Sequence, residues 1–148
     1  MQTLRPLVVG TDFSECAEQA LDTAIKLAIA AGTRLTLVHV CALDVDGSDE
    51  QRWLRGGEAL TALIANHRSC GVEITGVLRG GRPWEKLDNL AVEVGASLIV
   101  IGRHGRGRKS AALGSVAEQL LRFASHPVLT VPCEFNHPAE EADDNDQQ

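Results

Sequence analysis

Short apolar runs alternate along the chain with stretches in which apolar residues recur at helical spacing. The apolar runs are typical of strands buried in a sheet. They lie at residues 4–10, 34–40, 72–78, 97–102 and 127–132. The amphipathic stretches predict helices over about 15–31, 48–67, 83–94 and 115–123. This alternation predicts a doubly wound α/β fold, a five-stranded, mostly parallel sheet with helices on both faces.

Capping residues mark the ends of the predicted helices. Ser14 precedes the first helix and Gly32 follows it, as expected for an N-cap and a left-handed C-cap. Ser48 and Ser115 are each followed three residues later by Gln or Glu, the spacing of a capping box, at the second and fourth helix starts. Pro83 suits the first position of the third helix.

The charge distribution separates a globular body from an acidic tail. The chain has 148 residues and a formal net charge of −6, and five of its 20 acidic residues lie among the last nine positions. The other 15 nearly balance the 14 basic residues. We therefore expect one domain at 1–134, followed by a disordered tail at 135–148. A nearly neutral body with three Phe, two Trp and no Tyr is not expected to bind nucleic acid.

The sequence indicates a cytoplasmic protein. It has no apolar run of about 18 residues and no secretory leader pattern, so we expect no contact with membranes. Its four cysteines (Cys16, Cys41, Cys70 and Cys133) form no CxxC pair and no zinc-finger spacing. We interpret them as reduced, small apolar residues in a reducing compartment, in preference to a redox role.

The loop after the first predicted strand is one candidate ligand site. In open α/β sheets, ligands bind beyond the carboxyl ends of the strands, where the strand order reverses. Asp12 follows Gly10 and Thr11 at such an end, where its carboxylate could accept hydrogen bonds from ribose hydroxyls. Taken alone, the residues favour a plain Asx turn before the helix.

The loop after the fourth predicted strand is glycine-rich and basic, running from Gly102 to Ser110 as GRHGRGRKS before Gly114 and Ser115. Glycines let backbone N–H groups approach phosphate oxygens, and a helix start adds further donors. The alternative is a flexible basic surface loop, but its position favours an anion site. His104 is the one histidine in a plausible site, whereas His39 is interpreted as a satisfied core or boundary histidine.

Enzyme motifs are absent from the sequence. The segment from Gly102 to Ser110 is close to a Walker loop, but Arg108 stands where lysine should directly follow glycine. There is no GxGxxG, GxSxG or HExxH, and no pair of carboxylates at the loop ends. We expect no catalytic residues.

Four sequence blocks together resemble the universal stress protein family over about residues 5–132. They are VVGTDFSE, LTLVHV, GGRPWEKLDNLAVEVGASLIVIGRHGRG and GSVAEQLLRFASHPVLTVP. Nucleotide-binding members carry Gly, two residues, Gly, nine residues, Gly, then Ser or Thr. Gly102, Gly105, Gly114 and Ser115 match this order, but only eight residues separate Gly105 from Gly114. The phosphate loop is thus one residue shorter than the family pattern.

The resemblance implies the strand order 3-2-1-4-5, with Asp12 beside the Gly102–Gly105 turn. It also implies which residues contact an adenine nucleotide. Those implied for the adenosine are Gly10, Thr11, Asp12 and, through its backbone, Val40. Those implied for the ribose and phosphates are Gly102, Arg103, His104, Gly105, Arg106, Gly107, Arg108, Gly114, Ser115 and Val116.

The function implied is that of an ATP-binding regulatory protein of the stress response, with an unidentified protein partner. Any hydrolysis of ATP would be slow, because no loop residue is evidently placed to activate water. The nucleotide would bring Mg or Mn, with no metal site of the protein's own. The fifth strand, Val128, Leu129, Thr130 and Val131, is implied to pair two copies as a homodimer. An interaction module that binds no nucleotide is the alternative. An adenylyl-transferring enzyme is disfavoured because it needs a phosphate motif after the first strand, which GTDFS is not.

Two interpretations of the acidic tail are open. We expect residues 139–148 to be dispensable, because they contain no apolar side chain larger than alanine to bury. The alternative is that the tail folds back onto the basic loop and competes with ATP.

Overall fold

Five strands alternate with four helices in the described part of the chain, which a computed structural model gives as residues 5–42, 49–105 and 113–133. The strands are β1 (Leu7–Gly10), β2 (Leu35–Cys41), β3 (Ile74–Gly80), β4 (Leu98–Gly102) and β5 (Val128–Val131). The helices are α1 (Glu15–Ala31), α2 (Asp49–Asn66), α3 (Pro83–Val94) and α4 (Ser115–Phe123).

The strands form one parallel sheet in the order β3-β2-β1-β4-β5, which confirms the predicted fold class and strand order. β1 is the central strand, and its Leu7 lies opposite Leu35 of β2 on one side and Leu98 of β4 on the other. After β3 the chain crosses to the far side of β1. The strand order therefore reverses between β1 and β4.

Two apolar layers cover the two faces of the sheet. Successive side chains of a strand point to opposite faces, so Val9 packs with the core residues of α1 and α2, and Val8 with those of α3 and α4. Both valines are fully buried. The loops at the carboxyl ends of the strands are thus held by a sheet that is packed on both sides.

The helix ends follow their capping residues at three of the predicted positions. The Ser14 hydroxyl accepts a hydrogen bond from the Ala17 N–H at 3.2 Å, and Gly32 ends α1 in the left-handed conformation. Pro83 opens α3. The predicted cap Ser48 lies outside the described residues.

The prediction that all four cysteines are reduced is wrong for one pair. Cys16 of α1 and Cys133, which follows β5, form a disulfide with their Cα atoms 4.9 Å apart. The sequence does not reveal this pair, because the two cysteines are 117 residues apart and only the placement of α1 beside β4 and β5 brings them together. Cys41 and Cys70 are free.

The expected tail at 135–148 lies outside the described residues, as do Arg106, Gly107 and Arg108 of the basic loop. No helix in the described ranges is long and apolar enough to cross a membrane.

Candidate functional site

A cavity of about 300 Å³ opens at the carboxyl ends of β1 and β4, where the strand order reverses. Ligands of open α/β sheets bind at this kind of position. The cavity is lined by Gly10, Thr11, Asp12, Ala17, Val38, Val40, Pro83, Leu87, Ile101, Gly102, His104, Gly105, Gly114, Ser115, Val116 and Ala117.

The loop after β1 is held by its own side chains. Asp12 Oδ1 accepts the Ser14 N–H at 3.0 Å, and the Thr11 hydroxyl accepts the Phe13 N–H at 3.0 Å. The Asx turn that the sequence favours is therefore present. The other carboxylate oxygen of Asp12 lies 3.3 Å from where a Cβ on Gly105 would be, so Asp12 also borders the turn after β4. Both expectations for Asp12 are compatible in one geometry.

His39 supports this loop from β2. Its Nδ1 lies 2.9 Å from the carbonyl oxygen of Thr11. Because a carbonyl can only accept, Nδ1 carries the proton and donates it. The imidazole also packs against the Phe13 ring with centroids 4.5 Å apart. Phe13 has a backbone φ of 66°, a left-handed conformation that residues other than glycine rarely adopt. His39 is thus a satisfied histidine, as predicted, and it lies directly behind Thr11 and Asp12.

Glycines at both ends of the second loop allow close backbone contacts. A Cβ on Gly102 would lie 3.0 Å from the carbonyl oxygen of Cys16, and one on Gly114 would lie 3.2 Å from that of Arg103. The Gly114 N–H donates to the Arg103 carbonyl at 2.7 Å. Any larger residue at these positions would push the loop away from α1 or open its base.

The start of α4 is open toward the cavity. Ser115 is the first residue of α4, and Gly114 is its N-cap, with no side-chain cap hydrogen bond. The predicted capping box at Ser115 is therefore wrong. Gly114, held by its contact with Arg103, is the N-cap, so the helix starts at Ser115 itself, one residue earlier than that box would place it. The first N–H groups of an uncapped helix lack intrahelical partners and attract anions.

The rest of the cavity wall is apolar. Val38 and Val40 of β2, Ile101 of β4, and Pro83 and Leu87 of α3 form this side. Apolar walls of this kind are typical of sites that bind small molecules. The family resemblance implies Val40 as a site residue, but the sequence analysis names no residue of α3 for the site. Pro83 marks the start of a helix that follows strand three, so it also lies at the edge of the sheet where the strands end. That position is the signal by which the α3 residues could have been found.

Ten of the eleven predicted site residues in the described ranges line the cavity. Arg103 does not, although its backbone N–H donates to the Val131 carbonyl at 2.9 Å and anchors the turn. Its Nε is buried without a hydrogen-bond partner within the described residues. His104, by contrast, is 94% buried and lines the cavity.

The described residues around the cavity form no cluster of metal ligands. Within residues 5–42, 49–105 and 113–133, no three His, Cys, Asp or Glu side chains lie close enough to hold an ion. The geometry offers backbone donors, one carboxylate and an apolar wall, an arrangement for binding.

Comparison with known proteins agrees with this architecture. The sequence profile of the Universal stress protein family matches residues 3–132. The chain belongs to the universal stress protein family. Universal stress protein YxiE of Bacillus subtilis is 32% identical to it over 143 residues, covering 84% of this chain and 97% of that protein.

Solved universal stress proteins share the fold. A family member from Burkholderia pseudomallei is 35% identical, with a TM-score of 0.71 over 86% of this chain and 95% of that one. A universal stress protein solved in complex with cAMP is 25% identical, with a TM-score of 0.72 over 90% and 100% of the chains. One from Archaeoglobus fulgidus in complex with dAMP is 28% identical, with a TM-score of 0.69 over 88% and 98%.

Proposed function

We propose that this universal stress protein is a cytoplasmic regulatory protein of the stress response. In this proposal it binds an adenine nucleotide, ATP with its Mg or Mn ion, in the cavity between the β1 and β4 loops. The observation that carries the proposal is the meeting of an apolar wall, a carboxylate and an uncapped helix start in one cavity at the reversal of strand order. Complexes of two relatives with cAMP and dAMP support the nucleotide class.

The adenosine is proposed to lie on the β1, β2 and α3 side. Val40, Pro83 and Leu87 offer apolar contact to the base. Asp12 accepts hydrogen bonds from ribose hydroxyls through the oxygen that faces the Gly105 turn. A carboxylate in this position selects a ligand with free hydroxyls nearby.

The phosphates are proposed to lie against the start of α4. Gly105 and Gly114 allow close approach of the backbone, and the free N–H groups of the first turn of α4 donate to phosphate oxygens. The proposal extends to Arg106, Gly107 and Arg108, which the resemblance assigns to the phosphates. The divalent ion arrives with the nucleotide, coordinated by phosphates and water.

A charge reversal at Ser115 tests this proposal. Ser115 is exposed at the first position of α4, where an acidic side chain favours the helix dipole. Ser115→Glu should therefore preserve or raise the melting temperature while weakening binding of Mg-ATP at least tenfold in calorimetry. Ser115→Gln, of matched size without the charge, should bind within about threefold of the natural protein.

The alternative function is an interaction module that binds no nucleotide, and the phosphate loop one residue short of the family pattern favours it. Absence of heat and of a thermal shift with millimolar Mg-ATP, AMP and cAMP would establish that alternative. Equal binding by Ser115→Glu and Ser115→Gln would place the phosphates elsewhere.

We also propose a homodimer through β5. Among the strands of the described residues, β5 lies at the edge of the sheet and pairs with β4 alone. Val128, Leu129 and Thr130 are each half-buried, so the strand presents apolar side chains at an open edge. Pairing with a second copy would cover that edge.

A further inference from the structure

The Cys16–Cys133 disulfide lies directly behind the proposed nucleotide site. Ala17, the next residue after Cys16, lines the cavity. A Cβ on Gly102 would lie 3.0 Å from the Cys16 carbonyl oxygen and 3.3 Å from the Cys16 Cβ. The first turn of α1 therefore packs without a gap against the first residue of the turn that borders the cavity.

The same disulfide reaches the other side of that turn. Cys133 lies two residues after Val131, whose carbonyl accepts the Arg103 N–H at 2.9 Å. The start of the turn from Gly102 to Gly105 is thus in contact with both segments that the disulfide joins: Gly102 with α1, and Arg103 with the end of β5. Breaking the S–S bond removes the cross-link that ties the first turn of α1 directly to the segment after β5.

We propose that Cys16 and Cys133 are a thiol–disulfide exchange site that sets the affinity of the cavity for its nucleotide. Its reactants are low-molecular-weight thiols and their disulfides. The oxidised form holds the Gly102–Gly105 turn in place and binds nucleotide more tightly, and the reduced form binds it more weakly. This regulation rests on the proposed function.

Two small thiols reduce the protein disulfide and become one small-molecule disulfide. A thiolate attacks the sulfur of Cys133, forming a mixed disulfide and releasing Cys16 as a thiolate that takes up a proton. A second thiolate attacks the small-molecule sulfur of the mixed disulfide, which releases the Cys133 thiolate and one low-molecular-weight disulfide. The reverse sequence, with that disulfide as oxidant, restores the bond.

The two sulfurs differ in a way that sets the order of attack. Cys133 is 8% exposed and Cys16 is 2% exposed, so the attacking thiol reaches Cys133 first. Cys16 lies in the first turn of α1, where helix N–H groups stabilise a departing thiolate. Disulfides in the cytosol are usually transient or redox-sensing, which agrees with a switch in a cytoplasmic protein.

The free cysteines are poor candidates for the same role. Burial raises the pKa of the Cys41 thiol, which makes it a weak nucleophile at neutral pH. Cys70 is half-buried near the end of α2, away from the cavity lining. Cys70→Ala is therefore a matched control that removes a cysteine and keeps the disulfide pair.

The test compares Mg-ATP affinity in oxidised and reduced protein by calorimetry. We expect the oxidised natural protein to bind about three- to tenfold more tightly, and Cys70→Ala to show the same ratio. Cys133→Ser should bind like the reduced form in both conditions. Because coupling between two equilibria is reciprocal, saturating Mg-ATP should shift the ratio of disulfide to dithiol protein in glutathione buffers by the same factor.

Hydrogen–deuterium exchange separates failure of the switch from failure of the proposed function. Residues 15–18 and 102–105 should exchange faster in the reduced protein and in Cys133→Ser. Equal affinities in the two redox forms overturn the switch and leave nucleotide binding intact. If neither form binds a nucleotide, the proposed function fails, and equal exchange rates then overturn the switch as well.

Direct thiol analysis provides the remaining check. After equilibration with oxidised glutathione, mass spectrometry under non-reducing conditions should find Cys16 and Cys133 protected from alkylation. Full alkylation of both would overturn the proposal whatever the binding data show. If Cys133→Ser does not fold, the comparison of oxidised with reduced natural protein decides alone.

Discussion

At the scale of single residues, Asp88 of α3 lies outside the cavity but holds a group of hydrogen bonds. It accepts hydrogen bonds from His126 Nδ1 at 2.9 Å and from the backbone N–H and hydroxyl of Ser125. The residue types match a hydrolytic triad, but Ser125 and Asp88 meet the same imidazole nitrogen. A triad needs them on opposite nitrogens. The group ties α3 to the turn before β5.

Asp88 should make stability depend on pH in the acid range. Burial alone would raise its pKa, but the hydrogen bonds from His126 and Ser125 outweigh burial and lower the pKa below the ordinary value. A lowered folded-state pKa means that the stabilisation is complete above the unfolded pKa of about 4 and is lost as pH falls through the folded value. Asp88→Asn should cost about 1–3 kcal/mol of unfolding free energy at pH 7, measured by urea denaturation.

The difference between Asp88→Asn and the natural protein should shrink as pH falls below about 4. Glu85→Gln is the control, since Glu85 is half exposed and pairs with Arg82 at 3.6 Å on the surface. It should change stability by less than about 0.5 kcal/mol. A difference for Asp88→Asn that stays constant down to pH 2 would contradict this assignment.

His39 is a positioning residue for the β1–α1 loop. His39→Leu removes the donor to the Thr11 carbonyl and should cost about 1–2 kcal/mol of unfolding free energy. It should also weaken Mg-ATP binding several-fold, because Thr11 and Asp12 lose their support. His39→Asn places an amide N–H near the position of Nδ1 and should recover part of both losses. Thermal melts and calorimetry measure them, and identical behaviour of the two variants would contradict the positioning role.

At the scale of elements, α2 contains two adjacent glycines that differ in what they face. A Cβ on Gly56 would lie 3.0 Å from His39 Cδ2, 3.2 Å from Cys41 Sγ and 3.3 Å from Leu78 Cδ1. A Cβ on Gly57 would meet only Leu78 at 3.8 Å, an ordinary contact. Gly56 therefore lets α2 approach β2 closely, whereas Gly57 serves no such approach.

The two glycines give a matched pair of substitutions. Gly57→Ala should stabilise the protein by about 0.5–1 kcal/mol through helix propensity. Gly56→Ala gains the same propensity but crowds three side chains, so it should be neutral or destabilising by up to about 2 kcal/mol. Chemical denaturation of both variants measures the difference. Equal stabilisation by both would mean that α2 moves freely away from β2.

Most elements could be predicted from sequence because each one carries a local signal. Ser14, Gly32 and Pro83 fix helix ends through their own backbone preferences, and the apolar runs fix the strands. The bounds of α4 were predicted correctly, but its N-cap was not, because the contact of Gly114 with Arg103 depends on the folded loop. The same holds for Cys16 with Cys133 and for Leu87 in the cavity wall. Tertiary proximity leaves no trace in local sequence.

At the scale of the whole molecule, the two sheet edges are unequal. β3 pairs with β2 over seven residues: Leu35 of β2 lies opposite Ile74, and Cys41 lies opposite Gly80. β5 has only four residues. The Pro127 carbonyl accepts the N–H of Ile99 in β4, and the Val131 carbonyl accepts the N–H of Arg103 just after β4. By alternation, the backbone groups of Val128 and Thr130 face the open edge. A second copy would pair there.

Thr130→Pro tests that pairing, since it removes an outward N–H while leaving the bonds to β4. Sedimentation should show a dimer for the natural protein at tens of micromolar and a shift toward monomer for Thr130→Pro. Thr130→Val keeps the N–H and should remain a dimer. Val131→Lys is unsuitable for this test, because Val131 is only 8% exposed and belongs to the core, so the substitution would disturb folding. A monomer at every concentration of the natural protein would contradict the proposed dimer.

Val8 and Val9 are neighbours in β1, but their side chains lie on opposite faces of the sheet. Each valine can therefore report on its own face. Val38, Leu87 and Ile101 of the cavity wall belong to the layer that Val8 enters, whereas no core residue packed around Val9 lines the cavity. In methyl NMR spectra of valine-labelled protein, a ligand entering the cavity should therefore shift the resonances of Val8 and leave those of Val9 nearly in place. Two adjacent amino acids would then distinguish an event in the cavity from a change of the entire molecule.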